Sequence, residues 1–151
     1  MDLLEISQDS ILKIEILQWK IIRQLSKRKK QVLEKVGLTS SQFDILFAIS
    51  YFSNTKTEII EISLSELSDI DPIITSAILR SLEKKGLIKR HKGTTNKRAV
   101  LVELTNTGLN LVKKVSLKMI SSDMKMFTNT DIDMDLLISL LKKVYDKLKS
   151  E

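Results

Sequence analysis

The only proline in the chain, Pro72, follows an aspartate, and this pair constrains the fold more than any other feature. Aspartate is a strong helix N-cap, because its carboxylate accepts from the first unpaired backbone N–H groups. Proline is favoured at the next position, where its missing N–H would have had no partner anyway. Asp71-Pro72 therefore predicts a helix start. Thr75, Ile78, Leu79 and Leu82 then fall on one inner face, and Gly86 supplies an end, so the helix is predicted to run to Lys85. Just upstream, Ser63-Leu64-Ser65-Glu66 has the spacing of a capping box and predicts a short helix from Leu64 to about Ile70. Two short helices with so tight a junction make a helix-turn-helix.

The residues after Gly86 decide which kind. Leu87 to His91 reads as a short strand, the polar run Lys92 to Lys97 as a bend around Gly93, and Arg98 to Leu104 as a second strand. A hairpin directly after the second helix is the pattern of a winged helix. Glu58 to Ile62, after a polar loop over 54–58, alternates β-branched residues and reads as one more short strand.

The rest of the chain reads as helix. Four glycines and one proline leave little material for many tight turns, and the 42% hydrophobic content is enough for a core. The expected class is mainly α with a small β-hairpin wing. Residues 9 to about 35 form one long predicted helix, with Ile11, Ile14, Leu17, Ile21 and Leu25 at helical spacing and Leu12, Ile16, Trp19 and Ile22 widening the stripe. So wide a stripe exceeds what one partner element needs, and part of it is expected to face a second subunit. Lys27 to Lys30 is basic and reads as a solvated face. Thr39 and Gln42 form another capping-box pattern, opening a mostly buried helix to Ser53 through Phe43, Ile45, Leu46, Phe47 and Ile49. Thr105 is expected to cap a helix over about 106–127, with Leu109, Val112, Val115 and Met119 on one face. Thr130 is expected to start another over about 131–149, with Met134, Leu137, Leu140, Leu141, Val144 and Leu148 in register. These stripes read most plainly as core; the specific alternative is a dimer seam shared with the first helix. The division expected is a winged helix-turn-helix over 38–105, flanked by helices in 1–37 and 106–151.

The net charge of +6 is unevenly placed. Residues 80–98 hold eight cations and one acid, a balance of +7, whereas residues 38–79 hold one cation and six acids, a balance of −5. Charge so focused suits a polyanion such as double-stranded DNA. Composition also excludes much. Without cysteine there is no disulfide framework, thiol sensor or zinc finger, and with His91 as the single histidine no usual zinc cluster forms. The opening residues lack a cationic region before an apolar run, so no signal peptide is expected. No apolar stretch reaches membrane-spanning length, and a soluble cytoplasmic protein is the expectation. No phosphate loop or paired-carboxylate motif appears, so neither catalysis nor a cofactor is expected.

With the inner face of the second helix assigned, Ile73, Ile74, Ser76, Ala77, Arg80 and Lys84 are the outward candidates. Such a helix sets its N-terminal residues against base edges in the major groove. Arg80 suits guanine O6 and N7 or a phosphate, Ser76 a base or phosphate, and Ile73 or Ala77 a thymine methyl. Ile73 and Ile74 could equally pack within the turn. The wing supplies Lys92, Thr94, Thr95, Asn96, Lys97 and Arg98. A hairpin tip of this size fits a minor groove, whose negative potential attracts cations; edge protection of the hairpin is the plainer alternative.

These segments in order resemble the MarR family of transcriptional regulators. The matching residues are Leu38-Thr39-x-x-Gln42, the helix exit Leu82-Glu83-Lys84-Lys85-Gly86-Leu87-Ile88, the wing closing on Arg98, and Leu104-Thr105-x-x-Gly108, over roughly residues 38–112. The resemblance implies a homodimer that joins through its terminal helices and regulates transcription, as a repressor, from a near-palindromic operator. It also implies a small aromatic or lipophilic effector between the DNA lobe and the dimer helices. Trp19, Phe47 and Tyr51 are candidates to line that site, with core packing as the plainer role for each. One departure stands out. The family's wing reads Asp-x-Arg, and this chain has Asn96-Lys97-Arg98. An aspartate would orient the arginine by a charge-assisted bond, whereas asparagine offers a neutral one. The loop from Phe52 to Ile60 is also slightly long for the family. A different class of function remains open, a winged helix that binds another regulator or RNA polymerase rather than DNA.

Overall fold

The computed structural model describes residues 8–55, 58–128 and 130–150. Six helices and one hairpin run in the order α1 (Gln8–Glu34), α2 (Ser40–Ser53), α3 (Glu61–Ser68), α4 (Pro72–Lys84), β1 (Ile88–Lys92), β2 (Val100–Leu104), α5 (Asn106–Phe127) and α6 (Met134–Lys149). The expected class, a mainly helical chain with a β-hairpin wing, is the one found. The opening segment and the middle of the 54–58 loop lie outside the described residues.

The chain divides into two compact units, Met1–Leu117 and Lys118–Glu151, with the boundary inside α5. The core of the first unit gathers one face from each of its elements. Leu33, Ile45, Leu46, Ile49, Leu64, Leu79, Leu82, Ile88 and Val115 are all buried to within 2%. Polar links fix the order of the packed helices. Lys29 of α1 donates to Asp44 of α2. Gln42 of α2 closes its capping box with Thr39 and also donates from Nε2 to Ser81 Oγ of α4 at 3.1 Å.

The structure corrects the sequence reading at several points. Glu58 to Ile62 is not a strand. Ile60 makes a single antiparallel bridge to Leu101, and the Ile59 carbonyl accepts from Val102 N–H at 2.9 Å. Those contacts bury Ile59 and release the chain into α3 already at Glu61, three residues earlier than the Ser63 capping box suggests. That box does not form; Ile60 holds the N-cap position without a side-chain bond. α3 also stops early, because Asp69 adopts a left-handed conformation (φ 56°), one that a short polar side chain tolerates better than most. Thr130 is not a cap. Its hydroxyl donates to the Phe127 carbonyl, and Asp133 takes the role, accepting from Leu136 N–H at 3.0 Å, so α6 begins at Met134.

α5 buries Val112 and Val115 as expected of core, but the apolar stripes of α1 and α6 are not core in this chain. Among the described residues of α6 none is buried. α1 exposes Ile11, Leu12, Ile14, Ile16, Leu17, Trp19, Ile21, Ile22 and Leu25 by 42–62%. Phe47 and Tyr51, expected inside, are 48% and 59% exposed.

Candidate nucleic-acid interface

Local chemistry sets the attitude of α4. Asp71 caps it as expected, its Oδ1 accepting from Ile73 N–H at 2.8 Å and from Ile74 N–H at 3.4 Å, with Pro72 in the first turn. The turn from α3 is tied at both ends. Ile70 N–H donates to the Ser65 carbonyl at 3.2 Å, and the Thr75 hydroxyl, on a fully buried side chain, donates back to the Ile70 carbonyl at 3.3 Å. Gly86, at φ 70°, closes the far end, where Leu87 N–H reaches the Leu82 carbonyl at 3.1 Å.

With Thr75, Leu79 and Leu82 inside, the opposite stripe of α4 runs Ile73, Ala77, Arg80, Lys84 at spacings of four, three and four. All four are exposed. Ile78, expected inside, is only partly covered. Ile73 does not pack into the turn; it is 79% exposed, and Ile74 beside it is 54% exposed. Arg80 folds back along the helix, donating from Nε to the Ser76 carbonyl and from Nη2 to Ser76 Oγ, both at 3.4 Å.

The wing is an antiparallel pair with Ile88 opposite Leu104 and Lys92 opposite Val100. β2 begins at Val100, not at Arg98. Lys97 and Arg98 belong to the tip instead, and the reason is Asn96. Its Oδ1 accepts from Arg98 backbone N–H at 3.0 Å and its carbonyl accepts from Ala99 N–H at 3.0 Å, which turns the chain before the strand can start. Asparagine thus braces the backbone of Arg98 without the acid that the resemblance led one to expect. Gly93 closes the same loop, donating to the Ala99 carbonyl at 2.9 Å, and a Cβ there would sit 2.5 Å from the Asn96 carbonyl oxygen. Lys92, Thr94, Thr95, Asn96, Lys97 and Arg98 are all exposed.

The basic run does not act as one surface. Arg90 turns inward, its Nε 3.6 Å from Glu61 Oε2 of α3, while its backbone N–H donates to Glu83 Oε1 at 3.2 Å. Lys85 Nζ donates to the Gly37 carbonyl. These two cations brace the domain. Among the described residues, Glu83, the lone acid of the run, accepts from the Arg90 backbone and not from a cation side chain. A cleft of about 480 Å³ lies between the start of α3, Pro72 and the base of the wing, lined by Glu61, Ser65, Asn96, Arg98 and Val100 among others. Trp19, Phe47 and Tyr51 lie elsewhere. Arg23 covers the Trp19 ring at 5.0 Å, Phe47 packs on Phe43, and Tyr51 meets Phe52 edge-on.

Comparison with known proteins agrees with this architecture. Residues 38–100 match the model of the MarR family. A Bacillus subtilis protein described as an uncharacterized HTH-type transcriptional regulator, YdcH, is 28% identical over 116 residues, covering 72% of this chain and 79% of its own. The crystal structure of AbsC, a MarR family transcriptional regulator from Streptomyces coelicolor, superposes over the full length of both chains with a TM-score of 0.79 at 20% identity. That of an E. coli MarR mutant complexed with operator DNA does so over 95% of this chain and 99% of its own, with a TM-score of 0.74 at 24% identity.

Proposed function

We propose that this chain, a member of the MarR family of winged helix-turn-helix regulators, is a sequence-specific DNA-binding repressor that acts as a homodimer in the cytoplasm. The observation that carries the reading is the pairing of two exposed features in one domain. These are the outward stripe of α4 and a wing tip carrying Lys92, Lys97 and Arg98. In this reading Ile73, Ser76, Ala77, Arg80 and Lys84 face the major groove, and Lys92, Thr94, Thr95, Asn96, Lys97 and Arg98 the flanking minor groove. Residues 38–105 serve as the DNA-binding domain, and 1–37 with 106–151 as the dimerisation region.

Two features support a dimer. The apolar face of α1 and that of α6 are each open to water in the single chain, and exposed apolar surface of such extent marks an interaction site. A twofold pair of α4 helices would read half-sites about 34 Å apart on a near-palindrome. Binding there would exclude RNA polymerase from an overlapping promoter. A small aromatic or lipophilic effector relieves repression in this reading, with Trp19, Phe47 and Tyr51 as contacts whose exposed rings suit it.

The test is selection from a random duplex library followed by footprinting. A protected near-palindrome of about two helical turns is expected. The absence of any enriched sequence, with capture of a regulator or of polymerase instead, would favour the protein-binding alternative. A thermal-shift screen in which no aromatic or lipophilic compound stabilises the protein would argue against the effector.

A further inference from the structure

The outward stripe of α4 changes character along its length. Its C-terminal half presents Arg80 and Lys84, and its N-terminal half presents Ile73 and Ala77 with Ile74 alongside. Ile73 is 79% exposed at the second position of the helix, where Asp71 has already taken its backbone N–H. No part of its packing explains an isoleucine there. Of the polar groups on the same half, Asp71 caps the helix, and Ser76 Oγ accepts from Arg80 at 3.4 Å while its proton remains to donate. The end of the helix that enters a groove first therefore presents mainly methyl groups, with Ile73 79% exposed and Ala77 beside it on the same stripe.

We infer that Ile73 and Ala77 read thymine by its C5-methyl group, so that each half-site of the operator carries thymines at the positions under the start of α4. This rests on the DNA-binding role proposed above. The C5-methyl is the one apolar feature of the major-groove edge of a base pair. Four residues of helix rise place Ile73 and Ala77 about 6 Å apart, a little under two base-pair steps of about 3.4 Å. The contacts thus fall on thymines at neighbouring or next-neighbouring steps. Arg80 and Lys84, one to two turns further along the same stripe, reach phosphates and set the register. Cations lie on both sides of this end, Arg80 and Lys84 further along α4 and Arg98 of the wing, which lines one cleft with Pro72, so phosphate contacts on either side leave the apolar residues to the bases.

Deoxyuridine tests this, because it keeps the base pair and lacks only the methyl. Each thymine of the selected operator is replaced singly by deoxyuridine, and affinity is measured for the full-length wild type and for Ile73→Ala, with a thermal melt to confirm that the variant is folded. The expected result is an affinity loss of about fourfold at one or two thymines per half-site, the scale of one buried methyl. One of those losses disappears in Ile73→Ala. Restoring a methyl with 5-methylcytosine, in a C·G pair placed at such a position, recovers part of the affinity relative to plain cytosine. Specific binding that is indifferent to every thymine-to-uracil change would overturn the inference and leave the DNA-binding role intact. Uracil sensitivity undiminished in Ile73→Ala would overturn the assignment to Ile73. If the library yields no enriched sequence, the DNA-binding role itself falls, and this inference with it.

Discussion

Arg90 sits within the basic run of the sequence, yet its pairing with Glu61 makes it a structural residue, and a double-mutant cycle separates the two roles. The separation of 3.6 Å corresponds to a Coulomb attraction of about 4–5 kcal/mol at an effective dielectric near 20. Both side chains are roughly four-fifths buried, at 21% and 17% exposure, so desolvation offsets most of that attraction. Residual contact with water screens it further. A coupling of about 1–2 kcal/mol remains. Among the described residues, Glu61 Oε2 and Arg90 Nε and Nη1 make no hydrogen bond, so removing either partner strands a buried polar group. Glu61→Gln and Arg90→Gln should each lower stability by about 1–3 kcal/mol. The double variant should cost about 1–2 kcal/mol less than the two singles together. Urea unfolding followed by far-UV circular dichroism reads all three. Additivity within about 0.5 kcal/mol would refute the pairing. So would an Arg90→Gln protein of unchanged stability that has lost affinity for DNA, because the arginine would then be a contact to the phosphates.

Single contacts set further expectations. Gly108→Ala should destabilise the protein by about 1–3 kcal/mol although alanine is the better helix former, since the new Cβ would lie 2.0 Å from the Leu87 carbonyl oxygen; a raised melting temperature would contradict this. Asn96→Ala should cost under about 1 kcal/mol in thermal stability, because the lost bond to Arg98 N–H is exposed. It should nonetheless weaken operator binding severalfold in a mobility shift, while Asn96→Asp keeps the turn. Lys97→Ala and Arg98→Ala should each reduce the slope of log affinity against log salt by about 1, measured by fluorescence anisotropy, with little change in sequence preference.

The winged helix was legible in the sequence where the determining interactions are local. Asp71 with Pro72, Thr39 with Gln42, and Thr105 with the Gly108 N–H at 3.0 Å each act within four residues, and each is present as read. The same local logic failed at Ser63. Its spacing is that of a cap, but the bridge between Ile60 and Leu101, distant in sequence, decides where α3 begins. Arg98 was misplaced into a strand for a related reason. The β-branched run after it is genuine, yet the side chain of Asn96 holds Arg98 in the turn. Composition also could not divide the cations. Arg90 finds Glu61 and Lys85 finds Gly37, partners distant in sequence, so the surface charge at the interface is smaller than the run suggests. The stripes of α1 and α6 were ambiguous in principle, because helical periodicity is the same for a core and for a seam with another chain. In the single chain both faces remain exposed.

The proposed function stands or falls on whether the outer stripe of α4 and the wing tip together grip DNA. The most direct measurement is the affinity for the selected operator, across a range of salt, of wild type and of a variant with Arg80, Lys97 and Arg98 reversed to glutamate. Wild type is expected to bind tightly with a steep salt dependence. The variant is expected to lose binding, while its circular dichroism and melting stay close to wild type because all three side chains are exposed. A folded variant that binds the operator as tightly as wild type, with the same salt slope, would contradict the proposal.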